Sequence, residues 1–374
     1  MKILITGGHL GPALAIIAEI GNKAPIIFVG RKYALEQEKT LSLEYKEIAK
    51  RNIPFYHLPA GRFTRLLNLM SIYNVLKIPL GFYQALAVLT KIKPDLILSF
   101  GGYIGLPVCS IGFLLRVPIF IHEQTMKPGL ANRLTGFFAK KIFISFPESR
   151  KYFPRSKVIV SGNPVRKAVL TIHRKPFDIK TTSDVVKKNK PVIYFTGGSL
   201  GSHSVNAHLE KVLPQILKNY IVIHQTGRIR HYNDYQRLME KRSKLPTELK
   251  KNYYLRDYFY ENELGYVYGT SNLVVGRSGA NTVFELIAWR IPSIFIPLPW
   301  SANQEQLKHA QLFQKAGVAE IFQQSDNSEN LLRIIEKVSA NLESYKNNFK
   351  NVKLLYKENA AEIIVQTILS DYSS

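Results

Sequence analysis

The chain is poor in cysteine, in acid and in uninterrupted apolar sequence, and each shortage removes a class of protein. One cysteine among 374 residues, Cys109, set in an apolar run, leaves no disulfide framework and no thiolate metal site. A reducing cytoplasm is the compartment that fits. No Asp-x-Asp and no His/Cys cluster at ligand spacing occurs, so no metal site is expected. The most apolar stretches, 66–90 and 103–121, are broken by Lys77 and Pro79 in one and by Pro107, Arg116 and Pro118 in the other. Neither reads as a bilayer span. No leader is read at the N-terminus, because a β-type run enters a glycine turn soon after Met1.

Acid is scarce in a telling place. The chain has 27 acidic against 51 basic residues, a net charge of +24, which implies an anionic partner. Between Glu47 and Glu123 the only acid is Asp95, whereas Lys50, Arg51, Arg62, Arg65, Lys77, Lys91, Lys93 and Arg116 are basic. Large apolar side chains, among them Phe63, Leu66, Leu67, Met70, Tyr73, Leu80, Phe82 and Tyr83, alternate with them. That mixture suits a surface resting on anionic lipid headgroups. A set of core-facing helices with solvated outer charges is the plainer reading of these residues.

What is present is a doubled pattern. An apolar β-type run breaks into a glycine turn and a helix at Lys2–Ala15, with Gly7-Gly8-His9, and again at Val192–Ser202, with Gly197-Gly198-Ser199. Two such starts about 190 residues apart predict two Rossmann-like domains in tandem, with the chemistry in a cleft between them. Each turn is expected to offer backbone N–H groups and a helix N-terminus to something phosphorylated. Strands are predicted at Lys2–Thr6, Ile26–Val29, Asp95–Phe100, Ile119–His122, Lys141–Ile144, Val158–Val160, Val192–Thr196, Tyr220–Gln225, Leu273–Val275 and Ser293–Ile296. The expected division is residues 1–165, a polar linker at 166–190, a second domain at 191–345, and a C-terminal helix within 346–374 returning to the first domain.

Several segments carry candidate chemistry. Gly276–Leu286 follows a β-run and opens a helix, so Arg277-Ser278-Gly279-Ala280 would let a diphosphate reach the helix N-terminus, with Glu285 one turn in to accept from ribose hydroxyls. A capped helix with an ordinary acid is the plain alternative. His9 sits at a strand's carboxyl end, where it could take a proton from an attacking hydroxyl. His122-Glu123-Gln124 ends another β-run and points a base, an acid and an amide at the same rim, and Arg166 closes the domain with a guanidinium for phosphate. The turns lack a Walker lysine and a full Gly-x-Gly-x-x-Gly, which puts ATPase and dehydrogenase readings behind.

Taken in order, these segments resemble the MurG family, the UDP-N-acetylglucosamine transferases of peptidoglycan synthesis. The resemblance rests on Gly7-Gly8-His9 with Pro12-Ala13, Gly101-Gly102-Tyr103, His122-Glu123-Gln124, Pro128-Gly129-Leu130 with Asn132-Arg133, Gly162–Arg166, Gly197-Gly198-Ser199 with Gly201, His224–Gly227, Arg277–Ala280, and Gln306 with Ala310. It implies an α/β GT-B fold, two doubly wound Rossmann-like domains, and inverting, metal-independent transfer without a cofactor. The donor UDP-N-acetylglucosamine would meet Gly7, Gly8, Thr125, Arg166, Ser199, Tyr260, Ala280, Asn281, Thr282, Val283, Phe284, Glu285 and Gln306. The acceptor, an undecaprenyl-diphosphate-linked muramoyl peptide, would meet Gly11, Gly101, Gly102, Tyr103, His122, Glu123, Gln124 and Asn132, with His9 as base. It also implies a peripheral position on the cytoplasmic face of the membrane, with the anionic surface meeting residues 62–94. The sequence departs from the family pattern in a shorter first glycine loop, in Thr125 for an asparagine, in Leu200 for a glutamine, and in Glu305-Gln306 for Gln-Gln or His-Gln. Three other readings share some features: a GT-B transferase with another lipid-linked acceptor, a UDP-N-acetylglucosamine epimerase, and a basic nucleic-acid-binding protein. Nucleic acid is not expected, since no recognition helix or aromatic RNA platform emerges.

Overall fold

The structure is a computed structural model, and it describes residues 1–33, 41–59, 69–172, 190–228 and 231–373. Two compact units emerge: residues 1–166 with 357–374, and residues 167–356. Most of the polar stretch expected as a linker, and residues 62–68 of the expected membrane-facing stretch, lie outside the described residues.

The first unit runs β1 (Ile3–Thr6), α1 (Leu10–Ile20), β2 (Ile26–Gly30), α2 (Leu43–Ala49), β3 (Phe55–His57), α3 (Leu69–Ile92), β4 (Leu96–Ser99), α4 (Gly102–Leu114), β5 (Ile119–Glu123), α5 (Leu130–Gly136), β6 (Lys141–Ile144) and β7 (Val158–Val160). Its seven strands are parallel, in the order β3-β2-β1-β4-β5-β6-β7. Strands β1, β4 and β5 are buried along their whole length. Covered on both faces, they read as continuous apolar runs instead of alternating ones.

The second unit begins at α6 (Lys167–Leu170) and continues β8 (Val192–Thr196), α7 (His203–Asn219), β9 (Ile221–Gln225), α8 (Asp234–Ser243), α9 (Thr247–Lys250), β10 (Tyr253–Arg256), α10 (Glu261–Thr270), β11 (Leu273–Gly276), α11 (Ala280–Trp289), β12 (Ser293–Phe295), α12 (Glu305–Lys315), β13 (Ala319–Ile321), α13 (Ser328–Ala340) and α14 (Leu342–Asn347). Its six parallel strands run β10-β9-β8-β11-β12-β13. Both sheets are doubly wound.

Apolar stripes fix the helices to these sheets. In the first unit Ile16, Ile17 and Ile20 of α1 share one core with Ile364, Val365 and Ile368 of α15 (Ala360–Ser373). Leu89 of α3 and Val108 and Cys109 of α4 cover the other face. In the second unit Leu209, Leu213 and Ile216 of α7 pack with Leu331, Ile335 and Val338 of α13.

Two expectations shift at the junctions. Residues 167–170, read as linker, form α6 of the second unit, where Val169 is fully buried and its carbonyl accepts from Trp289 Nε1 at 3.0 Å. The C-terminal return starts at Lys357, because residues 348–355 form a 3-10 stretch that buries Phe349 and Val352 and belongs to the second unit. Three strands escaped the apolar pattern: β3, β10 and β13. All are sheet edges of three or four residues.

Candidate active site

Strand order reverses between β1 and β4 in one sheet and between β8 and β11 in the other. Ligands of open α/β sheets gather at the carboxyl ends of such neighbours. The helices leaving these four strands, α1, α4, α7 and α11, have no acid in their first turns. Helices α2, α8, α10, α12 and α13 each carry one or more. The entries of α4, α7 and α11 therefore have no acid in the first turn to offset a positive end of about half a charge, which favours an anion there, whereas the turn that enters α1 is met by the Glu44 carboxylate of α2.

In the first unit the turns after β1, β4 and β5 close on one another. Gly8 lies so near the next loop that a Cβ would stand 2.6 Å from the Phe100 carbonyl oxygen and 2.7 Å from that of Gly101. A Cβ on Gly101, at φ +81°, would meet the Asn132 amide at 2.8 Å. These contacts set His9 against β5, where Gln124 Nε2 and His9 Nδ1 are 2.6 Å apart. Desolvation pushes the His9 imidazole down to about 4, so it is neutral near pH 7 and able to accept a proton.

The other members of the rim are turned inward. Glu123 is buried, with Oε1 accepting from the Thr125 backbone N at 2.8 Å and hydroxyl at 2.7 Å, and Oε2 from Asn132 Nδ2 at 2.9 Å. Glu123, Thr125 and Asn132, expected at the ligand, are a clamp that ties the β5 turn to α5. His122 is fully buried, 3.2 Å from Ser145 Oγ, and desolvation pushes it down to about 3. It is a neutral core group. Gly11 lies in the first turn of α1, Gly102 is exposed at the start of α4, and Tyr103 is half-buried with the Arg31 guanidinium 5.9 Å from its ring centroid.

The first glycine turn is not an open phosphate cradle. The Glu44 carboxylate fills the space beside it, accepting from Arg31 N at 2.8 Å and from the Gly8 backbone N–H. A Cβ at Gly7 would stand 2.1 Å from Glu44 Oε1. Burial pushes this carboxyl up from the ordinary range, and the backbone donors oppose that shift.

In the second unit the loops are joined through backbone contacts that only glycine allows. A Cβ on Gly201 would be 2.1 Å from the Thr226 carbonyl oxygen, and one on Gly276 2.2 Å from that of Thr196. Gln225 bridges two of the loops, donating to the Gly198 carbonyl at 3.0 Å and accepting from Phe259 N at 2.8 Å. Ser199 is left exposed on the first of them. Arg277 is a clamp beneath the site, donating to the Ile296 carbonyl and to Ser202 Oγ and Ser204 Oγ at 2.8 Å and to Gln324 Oε1 at 2.7 Å. Desolvation lowers it to about 10, and it remains a cation at the entry of α7.

The entry of α11 is stitched to α12. Ser278 Oγ donates to the Gln306 carbonyl at 2.7 Å, His309 Nδ1–H donates to the Ser278 carbonyl at 3.0 Å, and Gln306 Oε1 accepts from Leu298 N at 3.0 Å. Those bonds fix the Gln306 side chain by its Oε1 and its backbone by the carbonyl. Glu285 is buried on α11, with Tyr268 OH donating to its Oε2 at 2.9 Å. Ala280, Asn281 and Thr282 form the first turn. Val283 and Phe284, expected among the donor contacts, are fully buried core side chains, and Val283 N is already bonded to the Gly279 carbonyl. Tyr260 is half-exposed, 3.1 Å from Arg228 through its hydroxyl, and its backbone N–H is taken by Glu263. Arg166 is the last residue of the first unit before α6. Among the described residues no three His, Cys, Asp or Glu side chains gather as a metal would require.

Glu44, Tyr268 and His309 are residues that the sequence did not single out, and Gln225 entered only as part of the His224–Gly227 segment, with no role of its own. Each acts through a partner on another element, so no local spacing signals it. Glu44 had the nearest thing to a signal, an acid opening the helix after β2.

Comparison with known proteins matches residues 6–144 to the glycosyltransferase family 28 N-terminal domain and residues 192–367 to the glycosyltransferase family 28 C-terminal domain. The chain is 34% identical, over 98% of its length and 99% of the relative's, to a UDP-N-acetylglucosamine–N-acetylmuramyl-(pentapeptide) pyrophosphoryl-undecaprenol N-acetylglucosamine transferase of Bacillus cereus. It is 34% identical to a transferase of the same description from Clostridium perfringens, over 94% of each chain. The crystal structure of Acinetobacter baumannii MurG is similar in fold, with a TM-score of 0.70 over 99% of both chains at 23% identity.

Proposed function

The chain belongs to the MurG family within glycosyltransferase family 28, and from that premise we propose that it moves N-acetylglucosamine from UDP-N-acetylglucosamine to an undecaprenyl-diphosphate-linked muramoyl peptide. The likeness to transferases of that description along nearly the whole chain carries the reading. The acid-free first turns of α4, α7 and α11 support it, because both substrates bring diphosphates.

The donor is held by the second unit. Ser199, Ala280, Asn281 and Thr282 offer polar groups and free N–H groups at helix entries, Glu285 accepts from the ribose, and Gln306 donates to the sugar, with Arg166 and Tyr260 as further contacts. The acceptor belongs to the first unit, at Gly101, Gly102 and Tyr103. The acceptor hydroxyl attacks the anomeric carbon from the face opposite UDP while its proton passes to His9. As the new C–O bond forms, the bond to the β-phosphate oxygen breaks and UDP leaves with the electron pair. Positioning and charge stabilisation supply most of the rate.

The first unit also docks on an anionic membrane. Leu80, Tyr83 and Leu86 of α3, Phe113, Leu114 and Leu115 at the end of α4, and Leu130, Leu134 and Phe137 at α5 are exposed on three helices that pack side by side. Arg116, Arg133 and Lys140 are exposed among them. Among the described residues no helix is long and apolar enough to cross a bilayer. An apolar patch with basic neighbours is the composition of a surface that lies on lipid.

The test is UDP release from UDP-N-acetylglucosamine in chelator-containing buffer, with and without the lipid-linked muramoyl pentapeptide in detergent. Release that depends on the acceptor is expected. Donor turnover that ignores the acceptor would favour an epimerase.

A further inference from the structure

The His9–Gln124 contact decides which nitrogen of the proposed base is free. Gln124 Nε2 faces His9 Nδ1 at 2.6 Å. Gln124 Oε1 is buried with no partner among the described residues. A neutral imidazole carries one N–H. With the amide N–H donating to Nδ1, the ring proton sits on Nε2, and that nitrogen has no lone pair for an incoming proton. Rotating the amide by half a turn places Oε1 on an Nδ1–H, frees the Nε2 lone pair and gives the orphaned oxygen its partner.

We propose that Gln124 is the positioning residue that sets the tautomer of His9, and that the arrangement with its carbonyl on His9 Nδ1–H is the one competent for transfer. In that state the acceptor O–H proton moves to His9 Nε2, the oxygen bonds the anomeric carbon, and UDP departs with the electrons of the broken C–O bond. Gln124 touches neither substrate in this role, in contrast to the acceptor contact expected from the sequence. The proposal rests on His9 being the base.

The titratable groups around the loop leave this task to an amide. His122 on β5 is a buried neutral ring, the Glu123 carboxylate is turned to Thr125 and Asn132, and Glu44 on α2 is held by Arg31 N and Gly8 N–H. The Arg31 guanidinium lies over Tyr103. Among the described residues, Gln124 is the one placed on the His9 ring by a hydrogen bond.

The test compares the pH dependence of kcat for the wild type, Gln124→Met, Gln124→Glu and His9→Ala, with thermal unfolding of each. Methionine keeps the length and removes the hydrogen bond, and kcat is expected to fall about ten- to a hundredfold with the donor KM unchanged. Glutamate accepts from Nδ1–H and favours the imidazolium, so it is expected to recover activity and move the acid limb of the profile up by about one pH unit or more. A folded Gln124→Met enzyme with wild-type kcat, or a Gln124→Glu enzyme with an unmoved acid limb, overturns the proposal. If His9→Ala keeps wild-type kcat, the base assignment itself falls. If His9→Ala collapses while both Gln124 variants behave as wild type, the tautomer role alone is lost.

Discussion

Glu285, the side chain proposed to meet the ribose, is fixed by its neighbours. The carboxylate is buried, and the Tyr268 hydroxyl holds Oε2 at 2.9 Å, so its orientation is set before any ligand arrives. Removing Glu285 takes away hydrogen bonds to a charged acceptor, about 1.5–3 kcal/mol, or roughly ten- to a hundredfold in donor affinity. Glu285→Ala is expected to raise the donor KM by that range. Tyr268→Phe should weaken UDP several-fold and leave 2′,3′-dideoxy-UDP unaffected, which isothermal titration would read directly. Equal losses for both nucleotides would remove the ribose assignment. Glu285 was singled out because an acid one turn after a small-residue turn is a local pattern. Tyr268 was not, since it reaches Glu285 from α10, 17 residues earlier in the chain. The same holds for Glu44, which is tied to the turns after β1 and β2, and Gln124 was singled out for the acceptor while its bond to His9, 115 residues away, left no local signal.

At the scale of elements, central strands announced themselves and edge strands did not. β1, β4, β8 and β11 are buried on both faces and read as apolar runs, each ending in a glycine or small-residue turn. β3 and β13 are three-residue edges, Phe55-Tyr56-His57 and Ala319-Glu320-Ile321, too short and too little buried to show an alternation, and β10, Tyr253-Tyr254-Leu255-Arg256, alternates in burial over four residues only. The apolar faces of α3, α4 and α5 were legible only in part. The low-acid stretch pointed to α3, but Leu130, Leu134 and Phe137 join the patch through the packing of α4 on α5. Replacing Phe113, Leu114 and Phe137 together by serine should lower binding to vesicles of anionic phospholipid at least tenfold, since each exposed apolar side chain withdrawn into lipid contributes about 1.5–3 kcal/mol. Cosedimentation checks this. Unchanged binding together with unchanged unfolding temperature would assign the patch to something other than lipid.

For the whole molecule, buried histidines tie stability to pH. His122 and His224 are pushed down to about 3 and His309 to about 4 by desolvation. An unfolded histidine protonates near 6.5, so the unfolded chain binds more protons than the folded one between that value and the folded pKa. The stability from these groups is complete above about pH 6.5 and drains away as the pH falls, on the order of 1–2 kcal/mol each by pH 5. Glu44 and Glu123, shifted up by burial, act with the opposite sign. His309→Asn keeps a donor for the Ser278 carbonyl and removes one titrating ring, so its unfolding temperature should fall less than that of the wild type between pH 7 and 5. An identical fall in both would show that His309 titrates normally.

The most direct measurement follows the sugar itself. The protein is given UDP-N-acetylglucosamine labelled in the sugar, with the lipid-linked muramoyl pentapeptide and a chelator, and label is counted in the lipid extract. The expected result is label in the lipid, equal in amount to the UDP formed, absent without acceptor and sharply reduced in His9→Ala. UDP formed while the label stays in water as free or epimerised sugar would contradict the transferase account.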